Sequence, residues 1–401
     1  MKNKDNTTQK GIRNIIMLGL VSCFADISSE MVYPLIPLYL TAAFGATPAL
    51  VGMIEGIAES VASLLKVFSG YISDRFQHKK AIAFSGYATG VIYKIALLFA
   101  GSWTGILSAR VIDRFGKGVR TAPRDVMVSE SADKNSMGKA FGIHKMLDMA
   151  GSAIGILLAF LLMKTIGENG YKTVFALSVI PIGIALLLFF FIHEKKETRE
   201  PLQREHFWKN ISRLDGRLKL YLFVTFLFTL GNSSNAFLLL RASDLGFDGS
   251  NTILLYFIYN LTASVLAVPF GKLSDRIGRK SLLVSGYLTF SLVYFGFAFC
   301  SSAPLMILIF VVYGAFTAMT AGAERAFIAE IAPGDLKGTM LGLHSTLAGI
   351  ALLPASITAG LLWDNFGACA PFLYGSILSL CAALILKFKL KPAVTDSTAH
   401  K

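Results

Sequence analysis

The stretch GYISDRFQHKK, residues 70–80, has a counterpart in the second half of the 401-residue chain, GKLSDRIGRKS at residues 271–281. Both copies fit the pattern G-x-[IL]-S-D-R-[FI]-x-x-K, and both lie between apolar stretches long enough to cross a membrane. A short charged loop repeated in this way predicts two similar helical bundles that are joined in the middle.

The composition places this chain in a membrane. It is 54% hydrophobic and only 16% charged, whereas soluble domains carry about 25% charged residues. The formal net charge is +13, but the cations fall in short loops between apolar stretches. This pattern favours orientation in a lipid bilayer over nucleic-acid binding.

Apolar stretches of membrane-spanning length recur along the whole chain. A spanning helix needs about 20 mostly apolar residues. On that rule the sequence predicts an all-α integral membrane protein with twelve transmembrane helices in two pseudo-symmetric six-helix bundles. The expected spans are 14–41, 48–69, 81–101, 103–119, 140–163, 171–192, 217–240, 251–270, 282–301, 303–322, 339–362 and 369–388.

Lys and Arg cluster before the first span and after every second one. The positive-inside rule then predicts that both termini are cytoplasmic, in a multi-pass protein of the cytoplasmic (inner) membrane. The predicted domains are an N-terminal bundle (1–192), a cytoplasmic central linker (193–216) and a C-terminal bundle with a short tail (217–401). Apolar residues in the linker, among them Phe207 and Trp208, leave open whether it is solvated or forms a helix on the membrane surface.

The repeated loop has a physical use beyond anchoring. A glycine lets one helix end approach a neighbour closely, and an aspartate can meet the positive N-terminal end of a helix in the other half. The arginine that follows can pair with an acid, plausibly Asp113 for Arg75. Plain positive-inside anchoring would explain the cations but not the aspartates. We therefore predict a cytoplasmic latch that closes in one state and breaks in the other, formed by Gly70, Asp74, Arg75, Asp113, Gly271, Asp275 and Arg276.

The fourth span is unusually charged. Arg110, Asp113 and Arg114 stand at i, i+3 and i+4, so they share one helix face. Charges inside a span are costly and face a cavity or a partner. The alternatives are proton transfer by Arg110 and an internal salt-bridge network; the network is favoured for Asp113 and Arg114, and a functional role for Arg110.

Other polar residues within spans are candidates for proton coupling or a substrate cavity. Asp26 and Glu30 lie one turn apart and are the first choice, because carboxyls in low dielectric can exchange a proton near neutral pH. The alternative for both is structural pairing with Lys94 or another cation. The full predicted set is Asp26, Glu30, Lys94, Arg110, Asp148, Asn232, Asn235 and Asn260.

The loop motif resembles the signature G-x-L-[AS]-D-R-x-G-R-[KR] of the major facilitator superfamily of secondary transporters. The copy at 271–280 matches it fully, while the first copy has Gln77 and His78 where Gly and Arg are usual. The resemblance implies two bundles with alternating access, and Arg110 matches an arginine typical of the family's fourth span. The fifth span keeps Gly151 and Gly155 of a drug–proton antiporter motif but lacks its proline, so the direction of transport stays open.

These features predict a proton-coupled secondary active transporter of a small organic solute, with efflux favoured over uptake. The alternatives are an uptake symporter for an organic anion or siderophore, and a transporter-like sensor. No Walker-type loop, nucleophile–base set or metal-ligand pattern stands in the sequence. We therefore expect neither an enzyme nor a bound cofactor or metal, and a monomer whose partners are the solute, protons and the bilayer.

Overall fold

The computed structural model describes residues 2–76, 78–132, 137–167, 170–194, 216–331 and 337–390. Within these ranges the side chains at 2–10, 66–76, 137–139, 329, 337–339 and 341–342 are outside the description. The central linker lies almost wholly outside the described residues, and so does the proposed surface helix at Phe207 and Trp208.

The described residues are nearly all helical and contain no strand. In chain order the helices are α1 (Lys2–Val32), α2 (Leu35–Phe44), α3 (Pro48–Phe76), α4 (Lys79–Phe99), α5 (Trp103–Ser131), α6 (Met137–Ile166), α7 (Tyr171–Leu177), α8 (Val179–Phe189), α9 (Gly216–Gly231), α10 (Ala236–Asp244), α11 (Gly249–Ile277), α12 (Arg279–Phe299), α13 (Ala303–Ile331), α14 (Lys337–Phe366) and α15 (Cys369–Lys389).

Eleven segments in the described part of the chain are long and apolar enough to cross a membrane. The remaining predicted span, 103–119, is the start of α5, a 29-residue helix. Its five cations and three acids lower its hydropathy, yet it packs along α3 and α4 inside the N-terminal half. The predicted all-helical, two-bundle fold is confirmed. The helix of the fourth span is longer than the predicted 103–119 and is more polar than the other spans.

Three of the predicted spans are divided, which the sequence analysis did not anticipate. The first divides at Tyr33 and Pro34 into α1 and α2, the sixth at Ser178 into α7 and α8, and the seventh at 232–235 into α9 and α10. Pro34 and Pro37 have no N–H to donate, so the helical hydrogen-bond ladder is interrupted there. At 232–235 the sequence is Asn-Ser-Ser-Asn, and such side chains compete for backbone hydrogen bonds.

Each half is held together by close helix packing. In the N-terminal half α1 packs on α6, and α5 lies between α3 and α4. In the C-terminal half α11 packs on α13, and α12 packs on α13 and α15. Gly151 and Gly155 of α6 lie directly against the α1 backbone at Cys23 and Ile27, so that a Cβ at either position would collide with it. This close approach accounts for the small-residue spacing in the fifth span.

The halves meet along α3 with α14 and α6 with α11. We call the end that carries His78, Gly278, the start of α1 and the end of α15 the basic end, and the other end the opposite end. At the opposite end the Ala49 N–H donates to Asp364 Oδ2 (3.3 Å), and deeper in, Ser60 Oγ donates to the Gly349 carbonyl (2.7 Å). These hydrogen bonds hold the two halves together at the opposite end and at mid-depth.

Candidate functional site

A cavity of about 440 Å³ lies between the two halves. This volume is in the range of small-molecule sites. Three residues of the N-terminal half reach it: Tyr33, Glu59 and Ser63. The rest of its wall comes from the C-terminal half, mainly from α9, the 232–235 break, α13 and α14.

Two of the helix breaks supply the cavity with polar groups. Tyr33 lines it from the α1–α2 break, and residues 232–235 line it from the α9–α10 break. At the second of these breaks the backbone N–H of Ser234 donates to Ser356 Oγ (3.3 Å), and the Asn235 side chain accepts from the Tyr313 hydroxyl through Oδ1 (2.8 Å). Irregular backbone at membrane depth is tolerated where it lines a cavity, and these breaks meet that condition.

A ladder of buried ion pairs joins α3 to α5. The Arg110 guanidinium donates to both carboxylate oxygens of Glu55 at 2.8 and 2.6 Å, and both side chains are about 1% exposed. One turn on, Arg114 contacts Glu59 at 2.5 Å. Asp113 lies between the arginines, 3.4 Å from Arg110 and 3.7 Å from Arg114. The i, i+4 spacing of the acids on α3 matches that of the arginines on α5, so the two helices present facing rows of opposite charge.

Tyr33 connects this ladder to the cavity. Its ring lies 5.3 Å from the Arg110 guanidinium carbon and 5.5 Å from that of Arg114, which is cation–π distance. It also contacts Tyr256 of the other half, with 5.8 Å between ring centroids. Tyr33 therefore lies between the charge ladder and the surface where the halves meet.

A second polar cluster lies nearer the basic end, between α1, α5 and α6. The Asp26 and Asp148 carboxyl groups face each other closely enough to interact electrostatically. Arg120 approaches Asp26 at 3.9 Å, and Lys145 and Arg124 approach Asp148 at 2.8 and 4.0 Å. Two carboxylates at close range repel each other, so a proton shared between them would stabilise the pair.

The remaining predicted coupling residues have different surroundings. Lys94 donates to the Ser28 carbonyl at 2.9 Å and lies over the Tyr93 ring. No ion pair from Lys94 to Asp26 or Glu30 is found in the described part of the chain, so the structural alternative for those acids is not formed with Lys94. Glu30 packs against Gly155, and its Oε2 is buried with no hydrogen-bond partner among the described residues.

The predicted amides divide into two groups. Asn232 and Asn235 line the cavity. Asn260 instead donates to the Tyr256 carbonyl of its own helix (2.9 Å) and is not among the residues that line it.

Only part of the predicted latch lies within the described residues. The side chains of Asp74 and Arg75, together with Gly70, lie outside the described residues. Asp113 has its described contacts within α5, to Arg110 and Arg114, and a pair with Arg75 stays a prediction. In the second copy Gly271, Asp275 and Arg276 are exposed, and the latch stays a prediction.

Several cavity residues were missed by sequence reasoning. Glu324 lies in the tenth span, and its Oε1 accepts from the Tyr287 hydroxyl at 3.3 Å. The two halves align with Arg124 opposite Arg325 and with His144 opposite His344. This alignment does not single out Glu324, the residue before Arg325. A lone acid in an apolar span is a signal that could have found it, whereas the cavity role of Tyr33 follows only from the break beside it.

Two pseudo-symmetric helical halves around a central polar cavity define a membrane transporter. The model of the Major Facilitator Superfamily matches residues 18–222 and again 221–400. An uncharacterized MFS-type transporter of Methanocaldococcus jannaschii is 35% identical over 96% of this chain and 97% of its own length. The chain belongs to the major facilitator superfamily: it is a multi-pass membrane transporter and not an enzyme.

More distant matches agree on the fold. Multidrug resistance protein MdtG of Salmonella dublin is 22% identical over 90% of this chain and 91% of its own. The solved structure of nucleoside transporter NupG (D323A mutant) superposes with a TM-score of 0.81 at 12% identity, covering 94% of this chain and all of that one. A D-xylose–proton symporter gives 0.74 at 18% identity, covering 95% and 97%.

Proposed function

We propose that the protein is a proton-coupled secondary active transporter that moves a small organic solute out across the cytoplasmic membrane by alternating access. The observation that carries the proposal is the central cavity, walled by both halves and closed at the opposite end by contacts such as Ala49 with Asp364. A cavity that is sealed on one side and approached from the other is one of the two states that alternating access requires.

Proton coupling is supported by the Asp26–Asp148 carboxyl pair. The pair faces Lys117 and Arg120 of α5 and, on α6, Lys145. Gaining or losing the shared proton changes the net charge between α1, α5 and α6 by one unit. Because α6 packs against α11 of the C-terminal half, such a change can bias how the halves pack.

We place the basic end in the cytoplasm on the positive-inside rule, with the termini and the 193–216 linker on that side. The two bundles, 1–192 and 217–401, would then rock about the cavity, and the described conformation is open to the cytoplasm. Export is favoured over uptake by the likeness to a multidrug resistance protein. Uptake of an organic anion or siderophore, and sensing without turnover, are outcomes that the test below separates from export.

The test is solute-dependent proton movement in proteoliposomes. The purified chain is reconstituted with a pH-sensitive dye inside, and solutes of several classes are added on either side. Solute that enters through a proton antiporter drives protons out and raises the internal pH, whereas solute that enters through a proton symporter brings protons in and lowers it. Solute movement with no proton movement would overturn the coupling. Binding without movement would support a sensor.

A further inference from the structure

One acid on the cavity wall has no ion-pair partner among the described residues. This acid is Glu324, and its only described hydrogen bond is the one accepted from Tyr287. Among the described residues no Lys, Arg or His forms an ion pair with it, and its neighbour Arg325 is exposed. Glu59, the other acid of the wall, is already paired with Arg114.

No Lys or Arg is among the described residues that line the cavity. The ionisable side chains that line it, apart from tyrosines, are Glu59, Glu324 and His344. The nearby arginines, Arg110 and Arg114, are engaged by Glu55, Glu59 and Asp113. These two cations are thus neutralised within the N-terminal half.

Aromatic rings surround the uncompensated acid. Phe228 stacks on Tyr287 with 4.0 Å between centroids, and Tyr287 in turn donates to Glu324. Phe316 packs 6.0 Å from Phe228 and 5.5 Å from Tyr313. Aromatic faces attract cations and bind apolar groups, so the wall combines one negative charge with a surface suited to a bulky organic cation.

We infer that the solute is an organic cation with an apolar or aromatic body, for which Glu324 supplies the counter-charge. This inference rests on the proposed transport function and names its substrate class. Hydroxyl groups of Thr229, Thr317 and Thr320 on the same wall would accept hydrogen bonds from a protonated amine.

The experiment is equilibrium dialysis of the purified full-length protein with radiolabelled tetraphenylphosphonium, competed by tetraphenylborate, an anion of the same shape. We expect saturable binding of the cation and no competition by the anion. Glu324→Gln should weaken binding by about tenfold or more, since a charge-assisted contact contributes at least that factor. Glu324→Asp, which keeps the charge, should retain most of it.

Glu330→Gln is the matched control, because Glu330 is an exposed acid on the same helix that pairs with Arg279 at 3.1 Å. It should bind like the unaltered protein, and thermal unfolding of each variant checks that it is folded. Equal binding by folded Glu324→Gln, effective competition by tetraphenylborate, or no saturable binding of the cation would overturn the inference.

The inferred substrate class and the proposed transport function can be tested separately. Proteoliposomes that move a neutral or anionic solute together with protons would support the transport function and contradict the inference of a cationic solute. Proteoliposomes that move no solute of any class would overturn both.

Discussion

The two halves share one fold but differ in chemistry. The N-terminal half has a ladder of buried ion pairs on α3 and α5 and the Asp26–Asp148 pair beside it. The corresponding region of the C-terminal half is aromatic and hydroxylic, with Glu324 as the acid on the cavity wall. His144 is buried against Ser22 (3.0 Å), whereas its counterpart His344 lines the cavity.

This difference indicates a division of labour. Paired charges make the N-terminal half sensitive to protonation, while rings, hydroxyls and one uncompensated acid make the C-terminal half suited to hold a solute. A duplicated fold allows this, because each half keeps its packing glycines and loop motif while its inward-facing side chains diverge. The experiments below perturb one half, or one end of the molecule, at a time.

The largest effect is expected from the buried ladder. Glu55→Gln removes the bidentate partner of Arg110 at a site that is about 1% exposed and leaves Arg110 only its longer contact with Asp113 at 3.4 Å. Breaking such a buried pair costs about 3–5 kcal/mol. The loss should appear as a marked fall in the thermal unfolding temperature in detergent. The double variant Glu55→Gln/Arg110→Gln should recover part of the stability, because no lone charge remains. Equal unfolding temperatures for the single variant and the unaltered protein would contradict the ladder's role.

The next effect concerns the carboxyl pair. Asp26→Asn or Asp148→Asn removes the acid that shares a proton, so solute-dependent proton flux should fall by about tenfold or more. Solute counterflow, which needs no net proton movement, should persist. Glu330→Gln again serves as the control. Unchanged flux in both variants would move the coupling elsewhere, with Glu30 as the next candidate because its Oε2 lacks a described partner.

A smaller effect is expected at the repeated loop. Asp275 is exposed in the described conformation, so Asp275→Asn should leave solute binding unchanged here. Transport should slow by about fivefold if the carboxylate meets a helix end in the other state, a contact of about 1 kcal/mol. Asp74→Asn in the first copy should behave alike. If both variants transport at the original rate, the latch does not exist.

The smallest effect is expected at the opposite end. Asp364→Ala removes the acceptor for the Ala49 N–H in the first turn of α3, a contact of about 1 kcal/mol or less. Spin labels on cysteines introduced at Thr47 and Asn365, in a background without the native cysteines, should then show a larger share of long distances, by about threefold. Distances unchanged by the substitution would show that the contact does not hold this end closed.

Much of the fold could be predicted from the sequence, and less of the site. Hydropathy located the spans, and the repeated loop located the two halves, because both are local patterns. The charged face of α5 was also visible, since Arg110, Asp113 and Arg114 follow helical spacing. Their partners Glu55 and Glu59 stand one turn apart in the second span, but only packing shows which arginine each acid meets.

The cavity itself was less predictable. Asn232 and Asn235 were expected there and line it, whereas Asn260, equally polar and also within a span, faces its own helix. Polarity within a span shows that a residue is unusual but not which way it points. Glu324 and Tyr33 owe their positions to the angle between the halves and to a helix break.

The sequence by itself determined the membrane environment, the helical class, the internal duplication and the family, because each depends on composition or on residues close together in the chain. Only the tertiary structure decided which end is closed, which charges neutralise each other and which acid is left facing the cavity. Those properties depend on contacts between residues far apart in sequence, such as Ala49 with Asp364 and Glu55 with Arg110. They are set by how fifteen described helices pack, and no local pattern carries that information.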